Sequence, residues 1–166
     1  MLSEILGRKE KVIVWSQFVE NIQILKARYK KYGSLVIHGS IGIEDRNKSV
    51  VRFQKDDEYR VLIANPAAAK EGLTLTAANN AIYLDRSFNI VDYLQSQDRI
   101  HRISQKKECN IYVLAAKNTI DEYIEDVIYK KSEIARYIQG DIKRIDIDNA
   151  LTKEQILCIL GGKHEK

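Results

Sequence analysis

Lys11-Val-Ile-Val-Trp15 is the first of five short apolar segments that predict the strands of a sheet. The other four lie at residues 35–38, 60–64, 81–84 and 110–115. Each is apolar at consecutive positions, which is typical of a parallel strand covered on both faces. The spacing between the segments suits helical crossovers, so the pattern predicts an α/β fold with a mainly parallel central sheet flanked by helices.

Helical periodicity fills the connections between these segments. It predicts helices at 19–29, 44–54 and 90–102. The first carries Val19, Ile22, Leu25 and Tyr29 on one face. Thr119-Ile-Asp-Glu122 is typical of a capping box, in which the hydroxyl and the carboxylate each accept a backbone N–H, and it predicts a long helix that ends near Gly140. A second such box predicts a last helix at 153–160.

Composition limits the class of protein. The chain has 166 residues, 45% of them hydrophobic, and a net charge of +4, which suits one folded domain with a mild basic balance. No apolar run reaches the roughly 20 residues of a membrane span, so no membrane partner is expected. The two cysteines and three histidines stand apart from one another, which argues against a structural metal and a disulfide framework.

The stretch 95–105 (Gln-Ser-Gln-Asp-Arg-Ile-His-Arg-Ile-Ser-Gln) carries the densest set of functional groups. On a continuous helix, Gln95, Asp98, Arg99 and Arg102 share an arc of about 100°. Ile90, Tyr93, Leu94 and Ile100 fall on the opposite, core-facing side, and His101 also projects toward it as a structural residue. The polar face is either a solvated surface with an Asp98–Arg102 ion pair or an anion site with two guanidinium groups.

The same stretch resembles motif VI of the Swi/Snf branch of superfamily-two helicase-like ATPases, whose pattern is Gln-Ala-x-Asp-Arg-x-His-Arg-Ile-Gly-Gln. The resemblance implies a three-layer RecA-like lobe (P-loop NTPase type) over residues 11–139, after a lead-in at 1–10 and before a helical extension at 140–166. In that family two arginines reach across a cleft to ATP bound mainly by a partner lobe. The catalytic residues implied here are the arginine fingers Arg99 and Arg102, with Gln95 and Asp98 ordering the cleft.

Two further segments resemble family motifs that contact DNA. Residues 12–18 (Val-Ile-Val-Trp-Ser-Gln-Phe) resemble motif IV. Residues 38–40 (His-Gly-Ser), followed by Arg46 and Phe53, resemble an Asp-Gly-Ser…Arg…Phe block with His in place of Asp. The implied contacts to the DNA backbone come from Ser16, Gln17, Gly39 and Ser40. The alternatives are a helix N-cap at Ser16 and an ordinary strand-end turn at Gly39.

Residues 65–75 (Asn-Pro-Ala-Ala-Ala-Lys-Glu-Gly-Leu-Thr-Leu) stand in the place of motif V. A loop of small residues after a parallel strand is where α/β sheets bind ligands, and glycine lets the backbone approach a phosphate. The resemblance implies an ATP contact at Gly72 and DNA contacts at Lys70 and Thr74, although a lone loop lysine is also often simply solvated. The alanines are similar to those of the annealing-helicase-like branch.

The sequence contains neither a Gly-x-x-x-x-Gly-Lys-Thr phosphate loop nor an Asp-Glu-x-His metal box. We therefore expect ATP with Mg2+ to be bound mainly by an N-terminal lobe of the same parent chain, upstream of Met1, and the chain alone to be inactive. The resemblance implies a double-stranded-DNA translocase, intracellular in any organism and cytoplasmic, near the nucleoid, in a bacterium.

Three other functions fit parts of the pattern. The first is a non-catalytic module that binds nucleic acid or protein on a degenerate helicase lobe, which the altered motif V permits. The second is an RNA-directed helicase lobe. The third is a nucleotide-binding signalling domain with flavodoxin-like topology, which shares the layered sheet but needs no paired arginines.

Overall fold

The computed structural model describes residues 1–69 and 72–138, without the side chain of Ala135. The predictions for Lys70, for the helix stop at Gly140 and for the helix at 153–160 lie outside the described residues.

Five short strands form one sheet. They are Val12–Trp15 (β1), Ser34–Ile37 (β2), Val61–Ala64 (β3), Asn80–Tyr83 (β4) and Asn110–Val113 (β5). Their order is β2-β3-β1-β4-β5, and all four pairings are parallel, so the predicted parallel α/β sheet is confirmed. The flavodoxin-like topology is wrong, because that fold has the order 2-1-3-4-5.

Helices lie in the three predicted connections and after β5, and one further helix, which was not predicted, precedes β1. They are Leu2–Gly7 (α1), Val19–Arg28 (α2), Ile43–Lys55 (α3), Ile90–Gln97 (α4) and Ile120–Ile138 (α5). Two short 3-10 turns, Lys30–Tyr32 and Pro66–Ala69, complete the described elements. The predicted lead-in at 1–10 packs on the sheet, since Ile5 and Leu6 of α1 are buried in the core.

The strands separate two core layers because their side chains alternate between the faces of the sheet. Ile13 and Trp15 of β1 join Phe53 of α3 on one face, whereas Val12 and Val14 join α1 and α2 on the other. The edge strand β5 is the exception to the prediction of double coverage: its residues are only partly buried, and Ile111 is 40% exposed.

The prediction that α4 continues to Arg102 is wrong, since the helix ends at Gln97. The carbonyl of Arg99, which a longer helix would pair with the N–H of residue 103, accepts the N–H of Leu75 at 2.9 Å. The carbonyl of Asp98 accepts the Arg102 side chain through Nε at 3.1 Å. One freed carbonyl has thus gained a tertiary partner, and the other is bound by the side chain of Arg102 instead of its main-chain N–H.

Because α4 ends early, the side chains that are buried differ from those predicted for a continuous helix. His101 is exposed, not directed toward the core, and Leu94 is 37% exposed. The buried face of α4 instead carries Asp92 and Ser96, and Ser96 forms a 2.6 Å hydroxyl–hydroxyl hydrogen bond with Tyr83 of β4. Ile100 is buried, as predicted.

Both predicted caps are modified in the structure. The N-cap position of α2 is Phe18, not Ser16, which is fully buried. The Thr119 hydroxyl caps α5 by accepting the N–H of Asp121 at 3.2 Å. The carboxylate that closes this turn belongs to Asp121, which accepts the N–H of Ala116 at 3.0 Å, where the capping box had assigned the role to Glu122.

Gly33, at the start of β2, is required both by its backbone conformation and by its surroundings. Its φ is +65°, and a Cβ built there would lie 1.9 Å from the carbonyl oxygen of Glu58. Gly72 has nearly the same φ, +64°, but its Cβ would have no heavy atom within 4 Å. A side chain at Gly33 would therefore meet both backbone strain and a steric clash, whereas one at Gly72 would meet backbone strain alone.

We predict that Gly33→Ala lowers the free energy of unfolding by at least ~3 kcal/mol, since strain and overpacking add. Gly72→Ala should cost ~1–2 kcal/mol, the cost of the left-handed conformation alone. The control is Gly39→Ala, whose Cβ has open space and no positive φ to adopt. Urea unfolding followed by circular dichroism measures all three, and equal losses at Gly33 and Gly72 would contradict the prediction.

Candidate functional site

The predicted arginine pair, Arg99 and Arg102, lies in the irregular segment that follows α4. Arg99 is 9% exposed and Arg102 is half-buried. Arg102 donates through Nη1 to the Thr74 hydroxyl at 2.7 Å and through Nε to the Asp98 carbonyl at 3.1 Å. Its contact with Asp98 therefore goes to the main chain, in place of the predicted side-chain ion pair.

The two guanidinium groups affect each other electrostatically. Burial and the positive charge of Arg102 lower the pKa of Arg99, while the carboxylate of Asp98 acts in the opposite direction. An arginine stays protonated in a protein, so the like charges are held near each other at a cost in free energy. An anion bound between them would offset that cost, and guanidinium groups match phosphate geometry.

The loop at 72–78, between the Pro66–Ala69 turn and β4, supplies the partners of this pair. Its main chain is bound to the segment after α4 by the Leu75–Arg99 hydrogen bond. Gln54 of α3 holds it with both ends of one amide: Nε2 donates to the Thr74 carbonyl at 2.6 Å, and Oε1 accepts the N–H of Ala77 at 2.8 Å. Thr74 is thus fixed at its carbonyl and engaged at its hydroxyl.

Asp85, just after β4, organises the turn that follows β1. Its carboxylate accepts the Ser16 hydroxyl at 2.7 Å, the N–H of Gln17 at 2.5 Å and the Asn21 amide at 3.2 Å. Asn65 adds a bond from its Nδ2 to the Gln17 carbonyl at 2.9 Å. Ser16 therefore positions this turn from within the core, and both main-chain polar groups of Gln17 are hydrogen-bonded.

Gly39 and Ser40 are both exposed, in the turn after β2. Arg46 of α3 supports this turn by donating to the carbonyls of Gly39 at 3.2 Å and Ile41 at 2.7 Å. The same guanidinium reaches the Ala68 carbonyl at 3.4 Å, which joins the turn to the Pro66–Ala69 segment.

The structure divides the predicted DNA-contact residues into two groups. Ser16, Gln17, Gly39 and Ser40 lie in turns at the carboxyl ends of β1 and β2, which we call the carboxyl-edge turns. Thr74 lies instead beside the last turn of α3, whereas the Gly39–Ser40 turn precedes its first. A helix of 13 residues is about 20 Å long. Thr74 therefore belongs with the arginine pair and not with the carboxyl-edge turns.

The other predicted site residues are Gln95, Asp98 and Gly72, and they differ in their exposure to solvent. Gln95 is half-buried on α4 and Asp98 is exposed at its end. Gly72 is exposed with a φ of +64°, so its main chain is accessible.

Four residues with clear roles were not among the predicted ones. They are Arg46, Gln54, Asp85 and Gln105. Two of them carried a signal, because Gln105 matches the last position of the motif VI pattern and Arg46 matches the Arg of the Asp-Gly-Ser…Arg…Phe block. Gln54 carried none, since nothing local marks its contact with a loop 20 residues away.

The described part of the chain contains no group of three or more His, Cys, Asp or Glu residues placed to hold a metal ion. Within the same ranges, every helix is too short or too polar to span a lipid bilayer.

We predict that Asp85→Ala lowers the free energy of unfolding by ~2–3 kcal/mol, because it leaves the buried Ser16 hydroxyl and the Gln17 N–H without their acceptor. Ser16→Ala added to Asp85→Ala should cost less than in the wild type, as expected for coupled groups. The control, Asp57→Ala, removes a fully exposed carboxylate 3.6 Å from Lys11 and should be nearly neutral. Additive losses in urea unfolding would refute the coupling.

Comparison with known proteins supports the resemblance to helicase-like ATPases that the sequence motifs indicate. The family model described as the helicase conserved C-terminal domain matches residues 1–104. The chain is 32% identical to the ATP-dependent helicase Fun30 of Saccharomyces cerevisiae over 98% of its length, and 31% identical to the human chromatin-remodeling ATPase INO80 over 83%. It spans only 14% and 9% of those two proteins.

A solved structure agrees with the fold as well. The crystal structure of the C-terminal part of the Fun30 ATPase domain matches 75% of this chain, and 41% of its own, with a TM-score of 0.69 and 35% sequence identity. The predicted RecA-like fold is therefore confirmed. The chain belongs to the helicase conserved C-terminal domain family and is a C-terminal helicase lobe of the Swi/Snf type.

Proposed function

We propose that the chain is the C-terminal lobe of an ATP-dependent double-stranded-DNA translocase, with Arg99 and Arg102 as its arginine fingers. The observation that carries the proposal is the placement of Arg102. It is held by Thr74 and by the Asp98 carbonyl next to a second, largely buried arginine. The catalytic partner is an N-terminal lobe of the same parent chain.

The arginine pair fits a phosphate group. Its like charges repel each other, and burial strengthens any interaction with an anion. ATP, when bound at the other lobe, supplies the phosphoryl group to be transferred, and Mg2+ would be held there as well. Arg99 and Arg102 bind and orient the phosphate and offset negative charge that develops on it. Gly72 offers an exposed main chain near this region.

The carboxyl-edge turns support contact with a DNA backbone. Gly39 and Ser40 expose main-chain groups, and Arg46 and Asp85 hold the turns in place without covering them. Contacts of this kind are largely independent of sequence and weaken as salt rises. Ser16 takes part as a positioning residue, and Lys70 stays a predicted contact.

We predict that Arg102→Ala, made in a protein that contains both lobes, reduces DNA-stimulated ATP hydrolysis by roughly 10³-fold or more, the range known for arginine fingers. DNA affinity should stay nearly unchanged, because Arg102 lies far from the carboxyl-edge turns. A phosphate-release assay and fluorescence anisotropy with a duplex measure the two effects.

Arg28→Ala is the matched control, because Arg28 is an exposed arginine at the end of α2. Its kcat should equal that of the wild type. Equal kcat for Arg102→Ala and the wild type would refute the finger assignment. Stimulation by RNA in place of duplex DNA would favour the RNA-directed alternative.

We also predict that the purified 166-residue chain hydrolyses no ATP above a protein-free blank, with or without duplex DNA. The physical reason is that phosphoryl transfer needs a phosphate loop and a metal site, and the sequence has neither motif. Turnover that co-purifies with the chain and disappears in Arg102→Ala would contradict the half-site proposal.

The proposal includes two narrower statements, one about the branch of the family and one about the location in the cell. Membership of the annealing-helicase-like branch depends on the alanines at 67–69, and neither Fun30 nor INO80 is named for annealing. An intracellular location beside DNA follows from the translocase proposal, and association with a bacterial nucleoid stays a prediction.

The alternative function, a non-catalytic binding module, predicts a different result. The two-lobe protein would then have no ATPase activity to lose, and Arg102→Ala would leave DNA binding unchanged.

A further inference from the structure

We infer that Gln54 and Gln105 are positioning residues for the arginine pair, because their amides hold the 72–78 loop from two sides and so keep the Thr74 hydroxyl in place for Arg102. The inference concerns how rigidly the Arg102 side chain is held. The effect of that rigidity on catalysis rests on the proposed function.

Gln105 approaches the loop from the segment that carries the arginines. Its Nε2 donates to the carbonyls of Ala78 at 2.9 Å and Thr76 at 3.1 Å. Its Oε1 accepts the N–H of Lys107 at 3.0 Å, and its own N–H donates to the Arg102 carbonyl at 2.8 Å. Gln105 therefore joins the loop to the arginine segment, binding the loop through its side chain and the Arg102 carbonyl through its own main-chain N–H.

Gln54 approaches the same loop from α3. Its amide closes a two-bond contact with the Thr74 carbonyl and the Ala77 N–H, at 2.6 and 2.8 Å. The loop is also held by the main-chain hydrogen bond from Leu75 to Arg99 and by the buried side chains of Leu75 and Ala78. Between the two amides, the Thr74 hydroxyl is held 2.7 Å from Nη1 of Arg102.

The chemistry of the two contacts requires an amide. Each glutamine uses its NH2 group and its carbonyl oxygen at the same time, towards main-chain acceptors and a main-chain donor. Methionine has a similar length but neither group, and glutamate keeps only the acceptor. Loss of either amide leaves the loop backbone with unpaired polar groups, which favours movement of Thr74 away from Arg102.

The direct test is the order of the Arg102 side chain in the full 166-residue chain, measured as the 15N heteronuclear NOE of its Nε–H. In the wild type we expect a value near that of the ordered backbone. In Gln54→Met and in Gln105→Met it should fall toward the value of the exposed Arg28. Gln105→Glu, which keeps the acceptor, is a second variant and should behave like Gln105→Met.

Ile63→Val is the control for a general loss of stability, because it removes one buried methylene group from β3, away from this loop. It should lower the melting temperature and leave the Arg102 signal unchanged. An Arg102 NOE that stays at the wild-type value in the glutamine variants, or that falls equally in Ile63→Val, would overturn the inference.

A second arm uses the two-lobe protein. Each Gln→Met change should lower kcat by up to about 100-fold, as for a misplaced catalytic group, with little change in the KM for ATP. In the Arg102→Ala background the same changes should have no further effect. Wild-type kcat in both Met variants, with Arg102→Ala inactive, would overturn the catalytic part. If Arg102→Ala is itself fully active, the proposed function fails, while the NMR measurement still decides the positioning role.

Discussion

The hydrogen bond from the N–H of Leu75 to the carbonyl of Arg99 is the constraint on which the candidate site depends. It takes the acceptor that a helix continuing past Arg102 would have used, and the chain beyond Gln97 is irregular. The Asp98 carbonyl, also left without an intrahelical donor, accepts the Arg102 side chain. The arginines are therefore held against the 72–78 loop and not presented along one face of a helix.

The same arrangement explains how two distant regions belong to one lobe. The chain between β3 and β4 begins at the carboxyl edge, where Asn65 contacts Gln17 and Arg46 contacts Ala68. It reaches β4 only after passing Gln54 and the arginine pair, at the far end of α3. The crossover between β3 and β4 therefore contacts both the turns proposed to bind DNA and the arginine pair proposed to bind ATP. Main-chain hydrogen bonds anchor it at both ends.

Much of this could be predicted where the signal is local. Each strand was predicted to within two residues at either end, because a buried parallel strand needs consecutive apolar side chains. Motif VI identified the arginine pair, since the residue types themselves carry the chemistry. Helix 90–102 was predicted too long, and His101 was consequently assigned to the core, because helical periodicity contains no information about a competing donor from another segment. Ser16 was assigned to a cap or to DNA for the same reason: its acceptor, Asp85, is 69 residues away.

The sequence by itself determined the α/β class, the positions of the strands and the family, because apolar runs and an eleven-residue motif are properties of neighbouring residues. Only the tertiary structure decided that Thr74 is a partner of Arg102, that Asp85 builds the turn after β1, and that Gln54 and Gln105 hold the loop between β3 and β4. Those contacts join segments that are distant in the chain, and their geometry follows from the order β2-β3-β1-β4-β5 and the packing of α3 and α4 on the sheet. A mild net charge of +4 gave no indication that Arg99 and Arg102 would lie close together.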